Sequence, residues 1–446
     1  MAAPPGLAGP ILKQVSADRL KADVERLASF GTRHTLSDTT SETRGIGAAR
    51  RWIKAQLDAA AAESGRSGDE APVVRFDAYM QEPDRNRITR AVEIVNVVME
   101  LPGRLGPDAG RTYIVGHYDS RNGDPLDFER DAPGANDDAS GTALVIELAR
   151  VLSKHRFDGT LMFMATAGEE QGLYGARLHA QAAAQSQTPI RGVLSNDIVG
   201  DPSSPIGPED RKHIRVFSEG LTAAAFPPGG GRTGAAREGS GLFLERLRRE
   251  GLLNESPSRE LARFIAMVGA WEKTEVQPVL VFRGDRFLRG GDHTPFHESG
   301  YPAVRFTEME EDYSRQHQDV KRVDGEPYGD VAKYVDADYL AGVARLNAAA
   351  AIHLANAPSA PAIVELITTL GNESRLRWIA GNEPDLAGYE VVWRETTSPV
   401  WQFAKDVGTT TEATLPLNKD NFFFAVRAFD RDGFRSPATI ALAARE

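Results

Sequence analysis

The stretch TLMFMATAGEEQGLYGARLHAQAAAQ, residues 160–185, carries the reading of the fold. Its first eight residues bear no charge and form a short run of the kind that fills a strand buried on both faces. The run ends in Gly168 and two adjacent carboxylates, Glu169 and Glu170, and LYGARLHAQAAAQ (173–185) then has the pattern of a helix. The same rhythm extends on both sides. TYIVGH (112–117) is a strand ending in His117, with Asp119 two residues on. APGANDDASG (132–141) places Asp137 and Asp138 just before the helix pattern 139–154, with Ser140 near its N-cap. RGVLSND (191–197) is a strand ending in Asp197, and QPVLVF (277–282) and PAVRFT (302–307) are two more. Two helix patterns precede them between 17 and 57, joined by the polar loop GTRHTLSDTTSETRG, and a long amphipathic helix closes the series at 335–357. Strands alternating with helices predict a three-layer α/β/α sandwich with a mainly parallel central sheet. Ligands of such sheets bind beyond the carboxyl ends of the strands.

The chain has 446 residues, a net charge of -11 and no cysteine. Disulfides, thiolate metal sites and a cysteine nucleophile are therefore excluded, and any metal must be held by His, Asp and Glu. No apolar run is long enough to span a bilayer, so a membrane-embedded protein is not expected. The basic run Arg246–Arg249 reads as a solvated helix face, so no nucleic-acid partner is expected. FPPGGGRTGAAREGSG (226–241) lacks the lysine that ends a phosphate loop and reads as a surface loop or a cleft-lining one. Taken singly, His117 is a surface histidine, Asp137 and Asp138 are helix caps and the Glu pair faces solvent. Taken together, four strand–helix junctions each deliver a metal-type ligand to one sheet edge. Two adjacent carboxylates there repel one another unless a cation or a shared proton relieves them.

After PSAPA (358–362), which reads as a linker, the character changes to strands of period two: SRLRWIA, AGYEVVWRE, EATLPL and NFFFAVRAFD. Trp378, Tyr389, the aromatic strand and the closing DGFRSP resemble a fibronectin type III module. The division expected is an N-terminal extension (1–16), an α/β domain (17–357) and a β-sandwich (358–446). Few obligatory contacts are expected across the linker, so a chain ending near Asn356 should fold by itself.

HYDS, PGANDDASG, GEEQGLYGA, ND and GYPA, followed by a histidine in an acidic loop, come in an order and spacing that resemble the co-catalytic zinc aminopeptidases. That family includes the bacterial leucyl-type aminopeptidases, with glutamate carboxypeptidase and glutaminyl cyclase as more distant relatives. The resemblance implies two zinc ions per chain, with manganese or cobalt also compatible. His117 and Asp197 would hold one ion, Glu170 and His317 the other, and Asp137 would bridge them. Glu169 would be the general base, and Asp119 would orient the ring of His117. The Asp137–Asp138 peptide would be cis. His293, in DHTPF, is the rival of His317, whose HQD context lacks the family's threonine. Tyr313 and the remaining histidines take structural or solvent-facing readings. The function implied is release of N-terminal residues from peptides with a free N-terminus. The alternatives are a carboxypeptidase or cyclase on the same fold, or a non-catalytic protein acting through its β-sandwich. The sandwich would engage another protein or a surface. The opening MAAPPGLAGPIL has no leader character, and a secreted or periplasmic location is expected by analogy with exported hydrolases carrying such a module.

Overall fold

A computed structural model describes residues 7–221 and 245–445; the loop 226–241 lies outside the described residues. One mixed sheet of eight strands organises the larger part: β1 (Val73–Gln81), β2 (Val92–Leu101), β3 (Arg111–His117), β4 (Thr160–Thr166), β5 (Ile190–Asn196), β6 (His213–Ser218), β7 (Gln277–Val281) and β8 (Ala303–Thr307). Their order is β1-β2-β4-β3-β5-β8-β6-β7. The centre β4-β3-β5-β8 is parallel, as are β6 and β7, whereas β1–β2, β2–β4 and β6–β8 are antiparallel. The strands β2 and β6 are additions to those read from the sequence; each joins the parallel centre to an outer strand.

Helices cover both faces, and the period of two sorts the strand residues between them. Ile114, Leu161, Phe163, Ala165 and Leu194 face α2 (Ala17–Ala28), α3 (Gly45–Glu63), α4 (Ala139–Leu152) and α9 (Ala337–Asn356). Tyr113, Val115, Met162, Met164 and Val193 face α5 (Tyr174–Gln185) and α8 (His293–Glu298). This is why β3 and β4 carry apolar residues at nearly every position. From β3 the chain crosses over α4 to β4, then over α5 on the opposite face to β5, on the other side of β3. A crevice opens at the carboxyl ends where consecutive connections part in this way. The cap of α4 is Asp138, whose carboxylate accepts Gly141 N–H at 2.9 Å; Ser140 instead lies inside the first turn.

The expected N-terminal extension is part of this domain. Around α1 (Gly9–Leu12), Ala8, Leu12 and Val15 are buried in its core, and the Leu7 and Ala8 amides donate to Glu272.

Residues beyond α9 form two four-stranded sheets, β15-β12-β11-β18 and β14-β13-β16-β17. Trp378, Tyr389, Val391, Leu415, Phe424 and Val426 fill the space between them. Here β11 (Val364–Ile367), β12 (Ser374–Trp378), β13 (Leu386–Glu395), β14 (Phe403–Gly408), β15 (Glu412–Leu415), β16 (Phe422–Asp430), β17 (Thr439–Ile440) and β18 (Leu442–Ala444) follow in chain order; β9 (Lys321–Val323) and β10 (Glu326–Tyr328) form a separate hairpin. The strand β11 was not apparent in the sequence, and it pairs parallel with β18.

The sandwich is not loosely tethered. Between α6 (245–249) and the end of α7 (Pro257–Glu272) the larger domain presents Glu250, Glu255, Glu260, Arg263 and Trp271 to it. Glu255 pairs with Arg394 at 2.6 Å, Glu260 accepts Trp401 Nε1–H at 3.0 Å and Ala438 N–H at 2.8 Å, and Glu250 accepts Ala443 N–H at 2.9 Å. The guanidinium groups of Arg427 and Arg435 lie over the ring of Trp271 at 5.3 and 5.5 Å. Phe434 meets His353 of α9 edge-on at 5.3 Å and packs against the main core. The expectation of few obligatory contacts across the linker therefore does not describe this interface.

Candidate metal centre

Four junctions at the carboxyl edge of the parallel centre supply the site. His117 is the last residue of β3, Asp137 ends the loop before α4, Glu169 and Glu170 follow β4, and Asp197 follows β5. His317 comes from the loop between β8 and β9, with its backbone in the left-handed region at φ +54°. The structure brings these side chains into two donor groups with one member in common. In the first, His117 Nε2 lies 3.1 Å from Asp137 Oδ1 and 3.7 Å from Asp197 Oδ1. In the second, His317 Nε2 lies 2.9 Å from Asp137 Oδ2 and 3.0 Å from Glu170 Oε1. Asp137 thus turns one oxygen to each group, and within each group the donor atoms lie within 4.8 Å of one another. Glu169 belongs to neither group, yet it lines the same cleft. The Asp137–Asp138 peptide is cis.

The donor chemistry fits a divalent cation. His117 Nε2 and Asp197 Oδ1 are buried without a hydrogen-bond partner, which is costly unless an ion uses them. Nδ1 of His117 is 3.1 Å from the main-chain carbonyl of Asp119; donating there leaves the Nε2 lone pair for a metal. Burial alone would lower the imidazole of His317, but Glu170 and Asp137 beside it push it up to about 10. Burial, with Asp197 and Glu170 close by, raises the Glu169 carboxyl well above its ordinary range. Such a set of carboxylates gathers positive charge, from protons or from metal ions. Imidazole with carboxylate suits zinc.

The supporting contacts correct one expectation. Ring orientation at His117 falls mainly to the carbonyl of Asp119. The Asp119 carboxylate is 3.5 Å from the ring and accepts the amides of Glu169 and Glu170 at 3.3 and 3.1 Å, so it shapes the Glu-Glu turn as well.

Several residues not singled out in the sequence hold the site together. Asp330 accepts the amides of Asn136 and Asp137 at 2.7 and 2.8 Å. Arg33 is fully buried and donates to the carbonyls of Tyr118 at 2.6 Å and Gly134 at 2.9 Å, binding the end of β3 to the Asp137 loop. Arg305 pairs with Asp197 at 2.9 Å, and Arg121 with Glu170 at 2.9 Å. Local sequence holds little trace of these. Arg33 sits in a polar stretch that reads as solvated, and Asp330 meets Asp137 from 193 residues away. A charged residue inside the apolar run PAVRFT is the one readable signal, and it points to Arg305.

His293 stands outside both groups, its Nε2 2.7 Å from the carbonyl of Gly284. His179, His213 and His353 sit against Asp77, Asp210 and Glu272, and Tyr313 is exposed. His317→Ala is expected to release one metal ion per chain, and His293→Ala to retain both, as read by metal analysis of the purified variants. Loss of metal from the His293 variant alone would move the ligand role there.

Comparison with known proteins agrees with this centre. The model of peptidase family M28 matches residues 96–228. A probable zinc metalloprotease of Pyrenophora teres f. teres is 45% identical over 430 residues, covering 96% of this chain and 85% of that protein. One of Pyricularia oryzae is 46% identical over 436 residues, covering 96% and 83%. The LapA aminopeptidase of Legionella pneumophila shares the fold with a TM-score of 0.51 at 18% identity, over 78% of this chain and 74% of its own.

Proposed function

Because the chain belongs to peptidase family M28 and is a zinc metallopeptidase, we propose that it is an aminopeptidase working through two zinc ions. The observation that carries this reading is the pair of donor groups sharing Asp137, with Glu169 beside them and in neither. His117, Asp137 and Asp197 would hold one ion, and Asp137, Glu170 and His317 the other. Bound there, zinc supplies the Lewis acidity that acidifies a water molecule and polarises the scissile carbonyl. Glu169 is placed to take the proton of the attacking water and return it to the leaving amine, and a carboxyl with a raised pKa suits that exchange near neutral pH. Asp119 holds the amides of Glu169 and Glu170, and Arg305 and Arg121 keep Asp197 and Glu170 turned toward the ions.

The cleft, about 380 Å³, is of small-molecule size and suits the end of a peptide better than its middle. LapA, which has this fold, is itself an aminopeptidase. The test pairs metal analysis with turnover of leucine p-nitroanilide and its N-acetylated counterpart. Two zinc ions per chain, loss of turnover on prolonged chelation, recovery with zinc and no cleavage of the blocked substrate are expected. Equal cleavage of the blocked substrate would replace an aminopeptidase with another peptidase on the same centre.

A further inference from the structure

The cleft beside the metal centre is lined by four carboxylates and four arginines, and the two sets come from different places. The carboxylates Asp137, Glu169, Glu170 and Asp197 are those of the sheet edge described above. Of the arginines, Arg87 comes from the loop between β1 and β2, Arg286 and Arg289 from the loop between β7 and α8, and Arg121 from the segment after β3. Their charges are unequally spoken for. Arg121 is spent on Glu170. Arg286 is buried and paired with Asp285 and Glu311 at 3.0 and 2.6 Å. Arg289 lies 3.1 Å from Glu311, but that one carboxylate also serves Arg286 and, at 3.0 Å, Arg215. Arg87 donates at 2.5 Å to the main-chain carbonyl of Glu170, and no carboxylate among the described residues pairs with it.

Three guanidinium groups on one carboxylate, and a fourth on none, leave positive charge at the cleft wall. Zinc ions held by the sheet-edge carboxylates would cancel the negative charge opposing it. Both Arg87 and Arg289 are only partly buried, and Arg289 keeps 27% of its side chain exposed. A planar guanidinium with unused N–H groups facing a confined cleft is a carboxylate receptor.

We infer that this cleft takes substrates bearing a carboxylate close to the scissile bond, and that Arg87 and Arg289 bind it. The inference rests on the aminopeptidase reading and narrows it. The carboxylate could be the C-terminus of a di- or tripeptide or the side chain of an acidic residue after the cleaved bond. The chemistry recognised is the same in both.

The test uses the zinc-loaded full chain and two matched pairs: Leu-Gly against Leu-Gly amide, and Leu-Glu amide against Leu-Gln amide. kcat/KM is measured for all four. The dissociation constants of N-acetyl-Leu-Gly and its amide are measured in parallel by calorimetry. A preference of roughly tenfold or more for the carboxylate member of either pair is expected, with the pair identifying its source. In Arg87→Gln and Arg289→Gln that ratio should fall toward one, and Arg→Lys at each position should recover part of it. The lysine variants and the metal content separate lost recognition from lost folding. Equal kcat/KM within both pairs, or a preference that survives both glutamine variants because the zinc ions themselves hold the carboxylate, would overturn the inference. If no pair is cleaved, the aminopeptidase reading falls. The calorimetric ratio and its response to the arginine variants then still decide whether the cleft selects a carboxylate.

Discussion

Glu169→Gln is expected to keep its full complement of zinc and to lose roughly 10²–10⁴ in kcat. The two halves of that result have separate structural causes. Glu169 stands in neither donor group, so an amide at that position removes no ligand. Its backbone amide stays anchored on Asp119, so the Glu-Glu turn is unchanged. What is lost is the one carboxylate of the cleft lining that is free to accept a proton, since Asp137, Glu170 and Asp197 are all donors to the metal groups. Glu170→Ala gives the converse. It removes the partner of His317 and of Arg121, and leaves the second group with Asp137 and His317 alone. That variant should lose one ion per chain and its activity with it. Metal stoichiometry and single-turnover rates on the same preparations distinguish the two. A Glu169 variant that loses zinc while the Glu170 variant keeps it would reverse the assignment of base and ligand.

Ending the chain at Asn356 is expected to give insoluble protein, or soluble protein melting roughly 10 °C below the full chain. Sequence alone pointed the other way, toward an independent peptidase domain behind a linker. The interface is the reason for the change. Truncation strips Arg427 and Arg435 from Trp271 and Phe434 from His353, and so uncovers the apolar side of α7 and α9. It also takes Arg394 from Glu255 and two N–H donors from Glu260. Loss of a packed aromatic group such as Phe434 costs on the order of 3 kcal/mol. That is a large part of a domain stability of about 5–15 kcal/mol and corresponds to several degrees of melting temperature. Exposed apolar surface of this kind also promotes association. Solubility, melting temperature and small-substrate turnover of both chains check the expectation. A truncated chain that melts within about 2 °C of the full chain would show that the interface carries no stability.

How far the sequence went can be traced residue by residue. The runs 112–117, 160–167 and 191–197 are apolar at consecutive positions because both faces of their strands are covered, and that pattern is local and needs no fold to be seen. His117, Glu170 and Asp197 are legible for the same reason: each directly follows such a run, at the edge where parallel sheets bind ligands. Asp137 and His317 rested on a family resemblance. His317 in particular lies in a loop with no periodic pattern, and only the return of the chain after β8 brings it to Asp137 and Glu170. The strand β11 has four residues and a partner, β18, that is short and distant in sequence, so neither announces itself.

The sequence by itself thus determined the layered α/β architecture, the sheet edge that carries the site and the acidic, cysteine-free chemistry available there. Each of these follows from patterns that neighbouring residues impose on one another. Tertiary structure decided the rest. It chose His317 over His293, set Arg33, Asp330 and Arg305 behind the donors, drew Arg87 and Arg289 to one cleft and joined the sandwich to α7. These are pairings between charges tens to hundreds of residues apart, and their energies depend on distance and burial, which a linear pattern does not contain.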